Sequence, residues 1–266
     1  MTIAVKPTPS VLKQWWVLTL RIIGPSLRNG EALTSVIAPV VFTLGFYVPL
    51  KFAMEFRNVV DDYAQFLMPM IVMQAMAFTA ISAAFRAATD KVDGINRRFS
   101  AMPIGRGVPL AARMAANVFR CGIGLIASIV CGYVIGFRFD LGFWYTVGFC
   151  GFALLIGTAL CLGADLLGSV SKNPEATTQS LMLPQLILGM LSTGFAPASQ
   201  FPDWIQPFVR NQPVSQFAYA LRAFAGDSAL SGGRLSWSLL GPPLAWLIAL
   251  LVVLTPLTIA VNSRRG

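Results

Sequence analysis

The chain has 266 residues, of which 56% are hydrophobic and only 12% are charged, with a formal net charge of +9 and a mean hydropathy of +0.68. This composition, together with several apolar runs near the length of a bilayer crossing, excludes an ordinary soluble domain and predicts a polytopic membrane protein. Histidine is absent, which excludes imidazole metal sites and histidine acid–base catalysis. The four cysteines lie in apolar segments without a CxxC spacing, so we interpret them as packing residues and predict no metal site.

Two membrane spans and a surface helix are predicted in the first third of the chain. Over residues 11–28, apolar residues recur at helical spacing around Trp15 and Trp16, with three basic residues between them. This pattern predicts an amphipathic helix in the headgroup layer. A signal peptide is the competing interpretation, but Arg21 interrupts its apolar stretch. The first two spans are predicted over residues 32–50 and 66–85.

The rest of the chain alternates apolar segments with polar stretches. Further spans are predicted over residues 121–137, 142–164, 179–196 and 235–261. The polar stretches cover residues 86–120, 165–178 and 198–233. Pro184 should kink the fifth span, and the prolines of the last polar stretch make it too irregular for one helix. We therefore predict an all-α fold with six transmembrane helices and both termini on one side of the membrane.

The distribution of charge predicts the orientation of this bundle. The side that holds the termini, residues 86–120 and residues 165–178 carries 14 of the 20 basic residues but only 5 of the 11 acidic ones, which accounts for the whole net charge of +9. The positive-inside rule makes this side cytoplasmic. Because topology and attraction to lipid headgroups explain the basic balance, we predict no nucleic-acid partner.

The apolar cores of the six predicted spans contain no Asp, Glu, Lys or Arg. A secondary transporter usually carries an ionisable group near the bilayer midplane, and a membrane enzyme needs a nucleophile, an acid–base pair or a metal. We therefore predict no catalytic residue and favour an energy source outside the membrane. No glycine is followed by lysine, so a phosphate-binding loop is absent and any ATPase must be another polypeptide.

The centre of the basic stretch, RRFSAMPI over residues 97–104, places two cations beside an apolar knob. Pro103 disfavours helix in the residue before it, so the pattern predicts a short helix that ends there and lies across the cytoplasmic membrane surface. A water-soluble partner would dock on it. An ordinary loop that touches lipid phosphate explains the arginines equally well, but it explains Phe99, Met102 and Pro103 less well.

These features together resemble the permeases of ABC-2-type exporters, in the daunorubicin-resistance branch of bacterial drug and lipid exporters. The likeness covers nearly the whole chain from Val11 and is carried by three segments. They are RRFSAMPIGRGVPLAAR (97–113), SKNPEATTQSLMLPQLILGMLSTGFAP (171–197) and FPDWIQPFVRNQPVSQFAYALRAFAGD (201–227), of which the third is the most specific. The sequence KVDGI over residues 91–95 departs from the longer acidic or glycine-rich lead-in that such permeases often have.

The resemblance implies a single transmembrane domain over residues 1–266, with a cytoplasmic tail and interfacial helix (1–30), a coupling stretch (86–120) and an external segment (198–233). The implied coupling helix, which would seat in a cleft of the ATPase, comprises Arg97, Arg98, Phe99, Ser100, Ala101, Met102, Pro103 and Ile104. The second cytoplasmic loop, either a minor contact or a plain turn, comprises Lys172, Asn173, Pro174 and Glu175. Short re-entrant external helices, either a lid over the exit path or an interfacial anchor, contain Pro202, Trp204, Ile205, Gln206, Pro207 and Pro213.

The implied function is that of a permease subunit of an ATP-driven exporter, which moves an amphipathic or hydrophobic compound, drug-like or lipid, out across the bacterial cytoplasmic membrane. The expected partners are an ABC ATPase subunit that binds ATP and Mg²⁺, a second permease subunit, identical or homologous, and membrane lipids. No cofactor is expected in this chain itself. An ATP-independent secondary transporter is the alternative, and a scaffold or assembly factor is a more distant one.

Overall fold

The structure is a computed structural model that describes residues 10–56, 62–105, 107–226 and 236–263. Its helices are α1 (Val11–Arg28), α2 (Glu31–Phe42), α3 (Val48–Phe56), α4 (Tyr63–Val92), α5 (Ile95–Ser100), α6 (Val108–Ile135), α7 (Phe143–Val170), α8 (Pro174–Met190), α9 (Gln206–Asn211), α10 (Pro213–Ala225) and α11 (Trp237–Ser263). A π-helical segment (Thr43–Tyr47) joins α2 to α3, and a 3₁₀ helix covers Ala198–Gln200. These four ranges contain no β-strand, which confirms the all-α prediction.

Helix α4 is the buried centre of the bundle. The Asp62 carboxylate accepts hydrogen bonds from the backbone N–H groups of Ala64 and Gln65, which caps the start of the helix. From there α4 packs against α2, α6, α7, α8 and α10. Its second half is rich in alanine, and α7 crosses it so closely that a Cβ added at Gly168 would lie 2.2 Å from the carbonyl oxygen of Ala84. Small residues at this crossing therefore hold α4 and α7 together.

The 30 residues of α4 extend about 45 Å and define two ends of the bundle. The basic end holds α5 and the turn over residues 171–173. The proline-rich end holds residues 191–226 and the start of α4. Because the backbone N–H of Gly105 donates to Gln14 Oε1 at 3.4 Å, α1 lies at the basic end, and α11 runs back toward it alongside α7. The first and last described helices thus share the basic end.

The π-helical segment sets the direction of two aromatic side chains near the proline-rich end. Thr43 Oγ1 donates to the carbonyl oxygen of Pro39 at 2.7 Å. Beyond it, Phe46 stacks on Phe195 with ring centroids 4.3 Å apart. The Tyr47 hydroxyl donates to the carbonyl oxygen of Ile135 at 2.8 Å, so the α2–α3 helix is tied to the end of α6.

Five of the described helical stretches are long and apolar enough to cross a membrane: Leu33–Phe52, Tyr63–Val92, Val108–Ile135, Phe143–Val170 and Trp237–Val261. The fifth predicted span corresponds to α8, whose 17 residues extend about 26 Å, short of a hydrocarbon core of about 30 Å. The polytopic all-α prediction is therefore confirmed, and the sixth crossing stays a prediction.

Three predicted boundaries differ from the structure. The predicted span over residues 179–196 is a helix that begins at Pro174, because Asn173 caps its first turn, and ends at Met190, before an unwound segment. The predicted loop over residues 165–178 shrinks to 171–173, because α7 continues to Val170 and Asp165 is buried in an ion pair. Most of the basic stretch over residues 86–120 consists of the ends of α4 and α6.

Candidate functional site

The predicted short helix in the basic stretch is present as α5, between α4 and α6. Gly94 adopts a positive φ of 68°, which ends α4 and turns the chain into α5. After Ser100 the chain forms a turn in which the Met102 N–H donates to the Phe99 carbonyl at 3.2 Å and the Ile104 N–H donates to the Met102 carbonyl at 2.8 Å. Residues 97–100 of the predicted coupling element are thus helical, and residues 101–104 form the turn that follows.

The side chains of this element combine charge with apolar surface. Arg98, Ala101 and Pro103 are exposed, Met102 is 47% exposed, and Phe99 and Ile104 are half-buried. The side chains of Arg97 and Ser100 lie outside the described residues. An exposed cation and an exposed methionine four residues apart offer the charge and the apolar contact that protein-docking surfaces combine.

A buried ion pair at the basic end joins α6 to α7. Arg113 Nε is 3.0 Å from Asp165 Oδ1, and Arg113 Nη2 donates to Asp165 Oδ2 at 3.1 Å, so the ion pair includes a charge-assisted hydrogen bond. Both side chains are more than nine-tenths buried. From the sequence, Arg113 and Asp165 were predicted only to be cytoplasmic charges. A sequence signal for buried polar residues was present, because Arg113, Asn117 and Arg120 recur at helical spacing, on one face of α6.

A second link at the basic end joins α4 to α7. Lys91 Nζ donates to the carbonyl oxygen of Val170 at 2.6 Å, at the C-terminus of α7, where carbonyl groups lack helical partners. Together with the Ala84–Gly168 crossing and the Arg113–Asp165 pair, this bond fixes α7 to both helices that flank α5. A displacement of α5 would therefore reach α7 through direct contacts.

The residues of the predicted second cytoplasmic loop mainly start α8. Asn173 Oδ1 accepts from the Ala176 N–H at 3.1 Å, Pro174 lies in the first turn, and Glu175 is an exposed acidic residue in that turn. This is a favourable helix N-terminus. Lys172 is exposed beside it. The plain-turn interpretation thus has a local structural basis, while a contact with the ATPase stays a prediction.

The predicted external residues shape two short helices at the proline-rich end. Gln206 Nε2 donates to the Phe201 carbonyl at 2.9 Å and to Asp203 Oδ1 at 3.0 Å, which fixes the turn that precedes α9. Pro207 and Pro213 lie in the first turns of α9 and α10, with Ile205 and Gln212 as the residues before these helices. Pro202 is exposed, and Trp204 is 81% exposed. The prediction that this stretch is not one helix is confirmed for residues 198–226.

Arg222, at the proline-rich end, has a structural role that was not predicted. Arg222 is 1% exposed, although it was predicted from the sequence to be an external charge. Its guanidinium lies 3.5 Å from the ring centroid of Phe66. It donates to the carbonyl oxygens of Phe66 at 3.0 Å, Thr193 at 2.6 Å and Gly194 at 3.1 Å. The sequence signal was an arginine within AYALRAFA, a run that is otherwise apolar apart from Tyr219.

The sequence resembles known permeases over most of its length. A profile described as an ABC-2 family transporter protein matches residues 46–260. The chain is 48% identical over 261 residues to the doxorubicin resistance ABC transporter permease protein DrrB of Mycobacterium tuberculosis (strain ATCC 25618 / H37Rv), an alignment that covers 95% of this chain and 90% of that protein. The chain belongs to the ABC-2 transporter family.

Two more distant relatives of this ABC-2 permease agree with that assignment. The daunorubicin resistance ABC transporter permease protein DrrB1 of Streptomyces coeruleorubidus is 27% identical over 199 residues, covering 75% of this chain and 70% of that protein. The probable doxorubicin resistance ABC transporter permease protein DrrC of the same Mycobacterium tuberculosis strain is 29% identical over 212 residues, covering 77% and 76%. The prediction of an ABC exporter permease is confirmed over the secondary transporter and the scaffold.

Proposed function

We propose that this ABC-2 permease moves an amphipathic, doxorubicin-like drug out of the cytoplasm. The 48% identity to a doxorubicin resistance permease over 95% of the chain carries the proposal. In the proposed orientation, the basic end faces the cytoplasm and the proline-rich end faces outward, as the positive-inside rule favours. The protein then lies in the cytoplasmic membrane with both termini inside.

The energy comes from a separate ATPase subunit, which binds ATP and Mg²⁺. The exposed surface of α5 and the following turn supports this assignment, since Arg98 and Met102 offer a partner both charge and apolar contact. Residues 97–104 seat in a cleft of the ATPase, and residues 172–175 make a smaller contact beside them. Closure of the ATPase on ATP pushes α5, and the links from α4 and α6 to α7 carry the displacement into the bundle.

A second permease subunit, either a copy or a homologue, completes the pathway. Helix α4 fills the middle of the bundle, so a path through the centre of one chain would have to displace its most buried helix. The drug therefore passes between two bundles that rock from inward to outward access. Two different permeases, DrrB and DrrC, occur in one Mycobacterium tuberculosis strain, which supports a homologous second subunit as well as an identical one. Membrane lipids surround the assembly.

The test is ATP-dependent doxorubicin uptake into everted vesicles from a host that produces this chain with its ATPase. Arg98→Glu and Phe99→Ala should each abolish ATP-linked uptake while leaving membrane insertion unchanged. The matched controls are Arg210→Glu and Phe208→Ala, because both residues are exposed at the opposite end of the bundle. Full transport in both α5 variants would contradict the coupling assignment. Uptake by wild-type vesicles without ATP would instead favour the secondary transporter.

The partnership itself is tested by purifying the tagged chain from its native membrane in a gentle detergent and identifying the proteins that accompany it by mass spectrometry. A stoichiometric soluble chain with a phosphate-binding loop is expected, together with a second permease if the complex is a heterodimer. Recovery of the permease alone after crosslinking in cells would contradict the proposed complex.

A further inference from the structure

The chain unwinds between α8 and α9, and the unwound segment is buried. Ser192, Thr193, Gly194 and Phe195 are all buried, and a Cβ added at Gly194 would lie 2.4 Å from Met70 Sδ on α4. The Ser192 hydroxyl donates to the Gly189 carbonyl at 2.5 Å and accepts from the Gly194 N–H at 3.1 Å, which replaces the helical bonds at the end of α8. We call residues 191–197 the α8 break.

Buried unwound backbone needs hydrogen-bond partners from the protein, because unpaired buried N–H and carbonyl groups are costly. Helix α10 supplies most of them. Arg222 donates to the carbonyls of Thr193 and Gly194, and Ser215 Oγ accepts from the Thr193 N–H at 3.0 Å. Gln212 Nε2, just before α10, donates to the carbonyl of Leu188 at 3.2 Å and to that of Leu191. The end of α8 is thus bonded to α10 by side chains from two turns of that helix and from the residue that precedes it.

Helix α4 holds the other side of the α8 break. The Tyr63 hydroxyl donates to the Phe195 carbonyl at 3.2 Å, and the third acceptor of the Arg222 guanidinium is the Phe66 carbonyl at 3.0 Å. Gln65 Nε2 donates to the Ala225 carbonyl at 2.8 Å, at the far end of α10. Three separate contacts therefore join the start of α4 to the break and to α10.

Arginine is suited to this position because its planar guanidinium donates in several directions at once, here to three carbonyl oxygens on two chain segments. We propose that Arg222 is a positioning residue that clamps the α8 break between α4 and α10, so that these three elements stay joined as one block throughout the transport cycle. Outward opening then takes place between this block and other parts of the complex. The hydrogen bonds between the α8 break and α10 remain intact throughout. This inference rests on the proposed export function.

A reversible crosslink tests whether the block stays joined. In the double variant Thr193→Cys with Ser215→Cys, an oxidant should form a disulfide between the break and α10, because the two native residues are hydrogen-bonded. Each single variant, treated with the same oxidant, controls for reaction with the native cysteines. ATP-dependent doxorubicin uptake by the crosslinked chain should match that of the reduced chain. A disulfide that blocks uptake, with recovery on reduction, would overturn the proposal, as would failure of the disulfide to form.

A rescue experiment tests Arg222 itself. Arg222→Lys keeps the charge but cannot reproduce the three-way donation, so uptake per ATP hydrolysed should fall about tenfold. Adding the 193–215 disulfide to Arg222→Lys should restore most of the lost uptake, since it replaces the clamp with a covalent link. If Arg222→Lys transports normally, or if the disulfide forms without restoring uptake, Arg222 does not act as a clamp. Absence of ATP-dependent uptake by the wild-type chain would count against the proposed function. Failure of the 193–215 disulfide to form would count against the clamp.

Discussion

Two arginines near opposite ends of the bundle have opposite surroundings. At the basic end, Arg98 is exposed on a six-residue helix and is available to a partner. At the proline-rich end, Arg222 is buried and bonded to backbone carbonyls of the same chain. Each end has both kinds, because Arg113 at the basic end is buried in its pair with Asp165 and Arg210 at the proline-rich end is exposed. The comparison teaches that an exposed arginine is available to a partner, whereas a buried arginine such as Arg113 or Arg222 joins segments of the same chain.

The largest loss of stability is expected from breaking the buried Arg113–Asp165 pair. Arg113→Ala leaves the Asp165 carboxylate buried without its cation and should lower the free energy of unfolding by about 3–5 kcal/mol, measured by thermal and denaturant unfolding in detergent. Replacing both partners with leucine should cost less than Arg113→Ala alone, because no charge is then left unpaired. If Arg113→Ala were as stable as the wild type, the ion pair would contribute nothing to the free energy of unfolding.

The next largest effect is expected where α7 crosses α4. Gly168→Ala places a Cβ against the Ala84 carbonyl and should destabilise the chain by about 1–3 kcal/mol through overpacking. Gly151→Ala is the matched control on the same helix, since no atom lies within 4 Å of its added Cβ, and it should be neutral or slightly stabilising. Equal unfolding temperatures for the two variants would contradict the close crossing.

A smaller effect is expected at the start of α8. Asn173→Ala removes the side-chain acceptor for the Ala176 N–H and should cost about 1 kcal/mol. Asn173→Ser, which keeps a capping oxygen, should recover most of this loss in the same unfolding measurement. If Asn173→Ala instead changes ATP-linked uptake without changing stability, the residue contacts the ATPase. The basic end then has a second exposed contact besides Arg98.

The smallest change in stability is expected at the exposed contact. Arg98→Glu should alter the free energy of unfolding by less than about 0.5 kcal/mol, since the side chain is exposed, even though it should abolish ATP-linked uptake. Unfolding and uptake measured on one preparation separate these effects. A destabilisation as large as that of Arg113→Ala would show that Arg98 has a structural role, and would remove the distinction between the exposed and the buried arginines.

Much of the fold could be predicted because membrane spans depend on long apolar runs, which are visible in the order of the residues. The end of α5 (Ile95–Ser100) before Pro103 was also predictable, since proline disfavours helix in the residue before it. The end of α8 at Met190 was not, because the run LILGMLSTGFA stays apolar past the point where tertiary hydrogen bonds replace helical ones. Local hydropathy carries no information about bonds from α10.

The candidate site divides in the same way. Exposed residues of the basic stretch were found because charge beside apolar residues is visible in a linear pattern. Arg113 and Arg222 were assigned to polar loops because their acceptors lie 52 residues away at Asp165 and 156 residues away at Phe66. Such partners become visible only when the helices are placed beside each other.

The π-helical segment gives the chain a length requirement at one point. A π turn contains one residue more than an α turn, so a deletion within Thr43–Tyr47 would restore α-helix and rotate everything on one side of the deletion by about 100°. Phe46 and Tyr47 would then leave Phe195 and Ile135, although every remaining residue in α2 and α3 was unchanged. At this point in the bundle, the number of residues specifies the structure as strictly as their identity.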